Sequence, residues 1–206
     1  MRTAYLLLSF AISIALASCR KQQFFEDAAN PGLSRFTSRN YNVTSAYVNA
    51  EPWVSGFSAL QGPQPMRVQL VTSIALKDTL YLTWSGKFSN PGVSQSVPWR
   101  TYNFMSICIP VEKNFSAANF LAWNGKSFAR DTLPVKIRLS NFDFQPIGSF
   151  LEGKGNIYFV KVAAENNREG NGFQTSGLFE GNIGDSIKIT KGRFDYEVLP
   201  QHHNLR

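Results

Sequence analysis

From residue 43 onward the chain alternates apolar and polar side chains with a period of two, the pattern of strands that bury one face. Over 66–76 the even positions are mostly apolar and the odd ones mostly not. Leu80, Leu82, Trp84 and Phe88 continue an even-numbered face, with Thr83, Ser85 and Lys87 opposite. Lys77-Asp78-Thr79 between these runs predicts a hairpin turn. Val135, Ile137 and Leu139 alternate with Lys136 and Arg138, and Ile187 and Ile189 with Lys188 and Thr190. Phe194, Tyr196 and Val198 alternate with Arg193, Asp195 and Glu197. Such segments read as antiparallel strands with one wet face. Residues 102–109 and 157–162 are apolar on both faces, as central strands are, and the first of them makes Cys108 a buried, inert thiol. Only 116–123 has helical character, with Ser116 as its N-cap and Gly125 just past its end. Roughly nine or ten strands separated by Gly, Pro, Asn and Asp predict an all-β domain, either an antiparallel β-sandwich or a partly closed barrel, with one short helix at most.

The first residues break this pattern. Arg2 precedes an apolar run from Ala4 to Ala17, interrupted only by Ser9 and Ser13. The run is too short to span a bilayer, which takes roughly 20 residues, and reads as a secretory signal. Leu16-Ala17-Ser18-Cys19 resembles the lipobox of bacterial lipoproteins. The resemblance implies cleavage before Cys19, diacylglycerol on its sulfur and acylation of the new amino group. Small residues at 17 and 18 fit a signal peptidase, and the thiol is the nucleophile for lipid transfer. The expected organisation is a signal peptide over 1–18, the lipidated Cys19 with a flexible tether over 19–34, one β domain over 35–199, and a C-terminal tail over 200–206. Arg20 is not the aspartate that resembles an inner-membrane retention signal, and Glu26-Asp27 lies too far along to resemble an acidic surface-export signal. The expected location is therefore the outer membrane, on its periplasmic face, with the cell surface as the alternative.

Composition narrows the function. The 206 residues are 43% apolar and 17% charged, which is globular and leaves enough chain for a sizeable core. Net charge is +7, and +6 without Arg2 of the leader, but the basic residues are spread singly beyond Arg20-Lys21. A dispersed excess suits a soluble face or weak attraction to anionic headgroups, so no nucleic-acid partner is expected. Two cysteines make no disulfide framework, and His202 and His203, the only histidines, stand side by side near the end. No metal site and no cofactor is expected. Gly125-Lys126-Ser127 mimics the end of a phosphate loop, but Phe120 stands where its first glycine belongs. Without a core histidine, acid–base chemistry would fall to carboxylates, Lys or Tyr, and Asp143, Glu152, Glu165 and Glu180 carry no signature. No catalytic residues are assigned. The abundant aromatics, 17 Phe, 7 Tyr and 4 Trp, are the one hint of a ligand. Trp99 and Trp123 sit at turn-like places and are the candidate ligand-stacking residues, whereas Trp53 and Trp84 read as core.

Two further stretches carry a family resemblance. Ala46-Tyr47-Val48-Asn49-Ala50-Glu51-Pro52-Trp53 resembles an opening motif of the form Val-Asn-Gly-x-x-Trp, with Ala50 in place of the glycine. Ile189-Thr190-Lys191-Gly192-Arg193-Phe194-Asp195 resembles a closing motif of the form Ile-Thr-x-Gly-x-Phe-Asp. Both resemble small Bacteroidetes outer-membrane lipoproteins of an uncharacterised all-β family, which implies an all-β fold and an envelope location and brings no catalytic residues. Read physically, Asn49 suits a left-handed turn, Pro52 fixes the backbone beside it and Trp53 packs over it. Gly192 marks a bulge or a close backbone approach. The expected function is a lipid-anchored, non-enzymatic binding or interaction module with a glycan or an envelope protein as partner; the alternative is a carbohydrate-binding or carbohydrate-processing envelope protein.

Overall fold

The computed structural model describes residues 24–55, 57–58, 62–63, 65–72, 77–88, 103–129, 133–141, 150–167 and 170–206. Fourteen strands are described: β1 (Glu26–Asp27), β2 (Asn30–Ser34), β3 (Val43–Val48), β4 (Glu51–Ser55), β5 (Phe57–Ser58), β6 (Gly62–Pro63), β7 (Arg67–Val71), β8 (Asp78–Phe88), β9 (Phe104–Val111), β10 (Ser127–Phe128), β11 (Lys136–Ser140), β12 (Phe150–Asn167), β13 (Gly170–Ile183) and β14 (Ile187–Val198). One helix, α1 (Ala117–Leu121), lies between β9 and β10.

Ten strands form one antiparallel sheet. Within it β3, β4, β8, β9, β11, β12, β13 and β14 follow one another around a ring, each bonded to the next, and β14 returns to β3. The all-β expectation holds, and the open choice between sandwich and barrel resolves as a closed up-and-down barrel. β7 flanks β8 beyond the end of β4, pairing Val68 with Leu82 and Leu70 with Leu80, while β4 pairs Trp53 with Phe88. β10 flanks β12 beyond the end of β11 in the same way. β8 begins at Asp78, so Asp78 and Thr79, expected in a turn, are strand residues.

An eight-stranded ring is just wide enough for side chains to fill it. Trp53, Trp84, Phe159, Phe194 and Tyr196 are fully buried inside it. The Trp84 ring stacks on Phe179 at 5.4 Å and leans on Phe194 at 5.4 Å. Space for two of these rings comes from glycines. A Cβ at Gly86 would stand 2.4 Å from the Trp53 ring, and one at Gly192 would stand 2.5 Å from Phe179. Gly192 also sits where the register shifts between β14 and β3, so both readings of that glycine, bulge and close approach, apply. At one mouth, α1 starts from Ser116, whose hydroxyl accepts from the Asn119 backbone N–H in a capping box. The helix is shorter than the 116–123 expected, and it drives Phe120 in against Phe159 and Phe173, with ring centroids 5.9 and 5.2 Å away.

Both ends of the described chain depart from expectation. The stretch assigned to a flexible tether is folded from Glu26: β1 and β2 form a hairpin with Leu33 and Ser34 buried. It lies on the outside of the barrel, where the Ser34 and Ser45 hydroxyls share a hydrogen bond of 2.7 Å. The C-terminal tail is docked as well. Val68 bridges His203, Asn204 exchanges two hydrogen bonds with Leu70, at 2.6 and 2.9 Å, and Leu205 is buried.

Candidate functional site

The outward side chains of β12, β13 and β14 form a row set by the strand register. Ser127 stands opposite Tyr158, Tyr158 opposite Leu178, and Leu178 opposite Arg193. Tyr158 and Leu178 are each 41% exposed, an apolar pair on the outer wall. They floor a groove of about 700 Å³ whose sides include Asn30 and Phe36 of the N-terminal arm and Asn156, Glu180 and Lys191 of the barrel. The Asn156 amide donates to Glu180 at 3.4 Å. Lys191 holds φ at 55° in the bulge next to Gly192, which turns this stretch of β14 out of the regular pleat.

Arg193 closes the groove at the arm. It is buried, and its guanidinium donates to Asp27 Oδ2 at 2.6 Å and to the Ser34 carbonyl at 3.1 Å. Asp27 also accepts from the Asn30 amide at 2.7 Å and the Ala29 N–H at 3.0 Å. The Arg193 hydrogen bond, reinforced by these two, holds the Asp27 carboxyl down at about 2. Two residues along, Asp195 is buried under residues 37–41. Its carboxylate accepts from the Thr37 hydroxyl and from the backbone N–H groups of Arg39, Asn40 and Tyr41, at 3.0, 3.0 and 3.3 Å. The alternating pattern of β14 thus presents its polar residues to the arm, and the wet face expected there is covered.

A second outer cluster joins β8, β11 and the start of β12. Arg138 stacks over Phe150 at 4.0 Å and lies 5.5 Å from the Tyr81 ring centre, and it donates to Glu152 at 2.7 Å. Burial alone would raise the Glu152 carboxyl, but hydrogen bonds from Lys136 and Arg138 outweigh it and leave it below its usual value. Cys108, beside this cluster in register with Tyr81 and Lys136, is buried, and burial pushes its thiol up to about 12. That is the inert thiol expected of it.

The candidate residues separate in space. Trp123 is buried instead of standing free at its turn; its ring packs 4.5 Å from Phe128, 4.9 Å from Phe115 and 5.4 Å from Phe159. The turn after α1 folds it back over the barrel mouth. Trp53 and Trp84 are core, as expected. Trp99, Cys19 and Asp143 lie outside the described residues. Of the scattered carboxylates, Glu152 is ion-paired and only Glu180 lines the groove. His203 packs on Phe173 at 4.7 Å and its Nε2 lies 3.1 Å from the Asn171 carbonyl. Among the described residues, no three His, Cys, Asp or Glu side chains gather as metal ligands, and no helix is long and apolar enough to cross a membrane. Sequence reading missed Tyr158 because it sits in a run, 157–162, that looks apolar on either face, and Leu178 because the polar and glycine-rich stretch around it shows no clear alternation; their outward pairing depends on register. No family profile, no curated protein and no solved structure matches this chain.

Proposed function

We propose that this chain is a lipid-anchored cell-envelope lipoprotein, acylated at Cys19, whose barrel is a non-enzymatic binding module at the outer membrane's periplasmic face. The observation that carries the reading is Leu16-Ala17-Ser18-Cys19 directly behind an apolar leader. The resemblance to Bacteroidetes lipoproteins supports the same placement. Intact-mass analysis of the native protein tests it: loss of residues 1–18 and a mass gain matching acyl chains is the expected result. An unprocessed leader without acyl groups would overturn it.

The binding site in this reading is the groove over Tyr158 and Leu178. Asp27, held ionised by Arg193 down to about 2, suits a fixed binding contact and is a poor proton acceptor near neutrality. One observation favours the narrower reading of a glycan ligand: an exposed tyrosine ring is flanked by the amide of Asn156, the carboxylate of Glu180 and the ammonium of Lys191. Rings that stack on sugar faces use such neighbours for the hydroxyls. Tyr158→Ala should cost about tenfold or more in retention on an envelope-glycan array, in line with an aromatic contact of roughly 1.5 kcal/mol. Unchanged retention, with the far-ultraviolet dichroism intact, would remove Tyr158 as the platform.

A further inference from the structure

The anchor and the fold meet at a particular face. Phe24 and Phe25 are 44% and 51% exposed, the two most exposed large apolar side chains among the described residues. Phe25 leans on Tyr41 with ring centroids 5.4 Å apart, and its carbonyl accepts from the Arg35 N–H. Arg35 and Arg39 are exposed on the same rim and frame an open hollow of about 540 Å³ with Phe25 and Tyr41. The nearby acidic groups are largely committed: Asp27 to Arg193, Asp195 inward to the 37–41 backbone, and Glu26 to the Gly32 N–H. Aromatic residues beside exposed guanidinium groups are the composition of a surface that sits at a lipid headgroup boundary.

We infer that the face made by Phe24, Phe25, Arg35 and Arg39 docks onto an anionic phospholipid bilayer, a second membrane contact besides the acyl chains. The inference rests on the lipoprotein reading for its occupant. Four residues separate Cys19 from Phe24, and the five steps between them span at most roughly 18 Å at full extension. An anchor at Cys19 therefore holds this face within reach of the headgroups, and Arg20 and Lys21 add two charges of the same sign on the way. Tethering at that distance makes a weak patch count, because its encounter with the surface becomes intramolecular.

The test separates docking from native acylation by supplying the tether chemically. A chain beginning at Cys19 keeps the whole described core, Leu33 to Leu205, and is coupled through the Cys19 thiol to a maleimide lipid; the buried Cys108 does not compete. Hydroxyl-radical footprinting is then read on vesicles of phosphatidylcholine with phosphatidylglycerol, on pure phosphatidylcholine, and on the same chain capped in solution. Oxidation of Phe24 and Phe25 should fall several-fold on the anionic vesicles and less on the neutral ones, while the exposed Phe150 at the start of β12 stays unchanged. The R35E/R39E double variant should restore oxidation to the solution level. Equal oxidation of Phe24 and Phe25 on anionic vesicles and in solution would overturn the inference, as would protection that the double variant leaves intact. Protection that rises with protein concentration in the absence of vesicles would also overturn it, by giving the face to a second copy of the chain. Intact mass of the native protein reports acylation independently of all these outcomes.

Discussion

Ala50 stands at φ 66°, beside Asn49 at φ 50°, in the two-residue turn between β3 and β4. That is the left-handed pair a tight hairpin turn needs, and it suits Asn-Gly best. Asn49 is well used: its side chain donates to the Ser186 carbonyl at 2.8 Å and accepts from the Lys188 N–H at 2.7 Å, tying the turn to the start of β14. Ala50 has only the strain of a Cβ in the left-handed region. Its departure from glycine therefore leaves the turn in place at a cost. Ala50→Gly is expected to stabilise the protein by about 0.5–1 kcal/mol, the left-handed penalty less the added freedom of the unfolded chain. A rise in the urea midpoint at constant slope would show it; a fall would mean that the turn is not strained. Tyr196, buried in the barrel, belongs to the same scale. Burial pushes its phenol up to about 12, and its hydroxyl lies near those of Ser55 and Thr44 without a hydrogen bond of good geometry.

The N-terminal arm and β14 act together as one element pair. An alternating strand reports which side faces the core but not what later covers the other side. Arg193 and Asp195 read as solvent-facing, and both are buried because the arm brings each of them partners. Burial of charge is tolerable when it is paired or well hydrogen-bonded: Arg193 is ion-paired with Asp27, and the Asp195 carboxylate accepts from the Thr37 hydroxyl and three backbone N–H groups. The latch has a pH signature. The Asp27 carboxyl lies at about 2 in the folded chain against an ordinary 3.8. The unfolded chain thus binds a proton first, and the stabilisation from this group is complete above the ordinary value and is lost as pH falls through about 2. Asp27 is partly solvated, so salt should weaken the effect. Between these two pH values the wild type should lose unfolding free energy more steeply than Asp27→Asn, measured by denaturant titration. Equal slopes would show that Arg193 does not hold the carboxyl.

At the scale of the molecule, the ring of eight strands joins residues far apart in the chain, and the C-terminus locks it. Leu205 enters the core beside β7, Asn204 completes the edge of that strand, and the Arg206 carbonyl accepts from the Ala117 N–H at the start of α1. Leu205→Ala should therefore cost about 2 kcal/mol or more, the usual penalty for a buried leucine, although the residue is next to last. A melting temperature equal to wild type would mean that the tail is not part of the cooperative fold. The same geometry sets the functional surfaces: the interior is filled by rings, so the groove and the proposed membrane face both lie on the outer wall, on either side of the N-terminal arm.

Much of this was legible in the chain itself. Period-two patterning gives the strands at Val135 to Leu139 and Phe194 to Val198 their inner faces, because burial of apolar area selects the side and that selection is local. Ser116 caps the start of α1 for an equally local reason. Closure and the docking of both chain ends were not legible, because they depend on pairings between residues more than a hundred positions apart, and register was not, because bulges such as those in β12 and β13 shift it without a local signal. Tyr158 and Leu178 became neighbours on an open face, and Trp123 went inside, only when β12, β13 and the turn after α1 took their places in the ring.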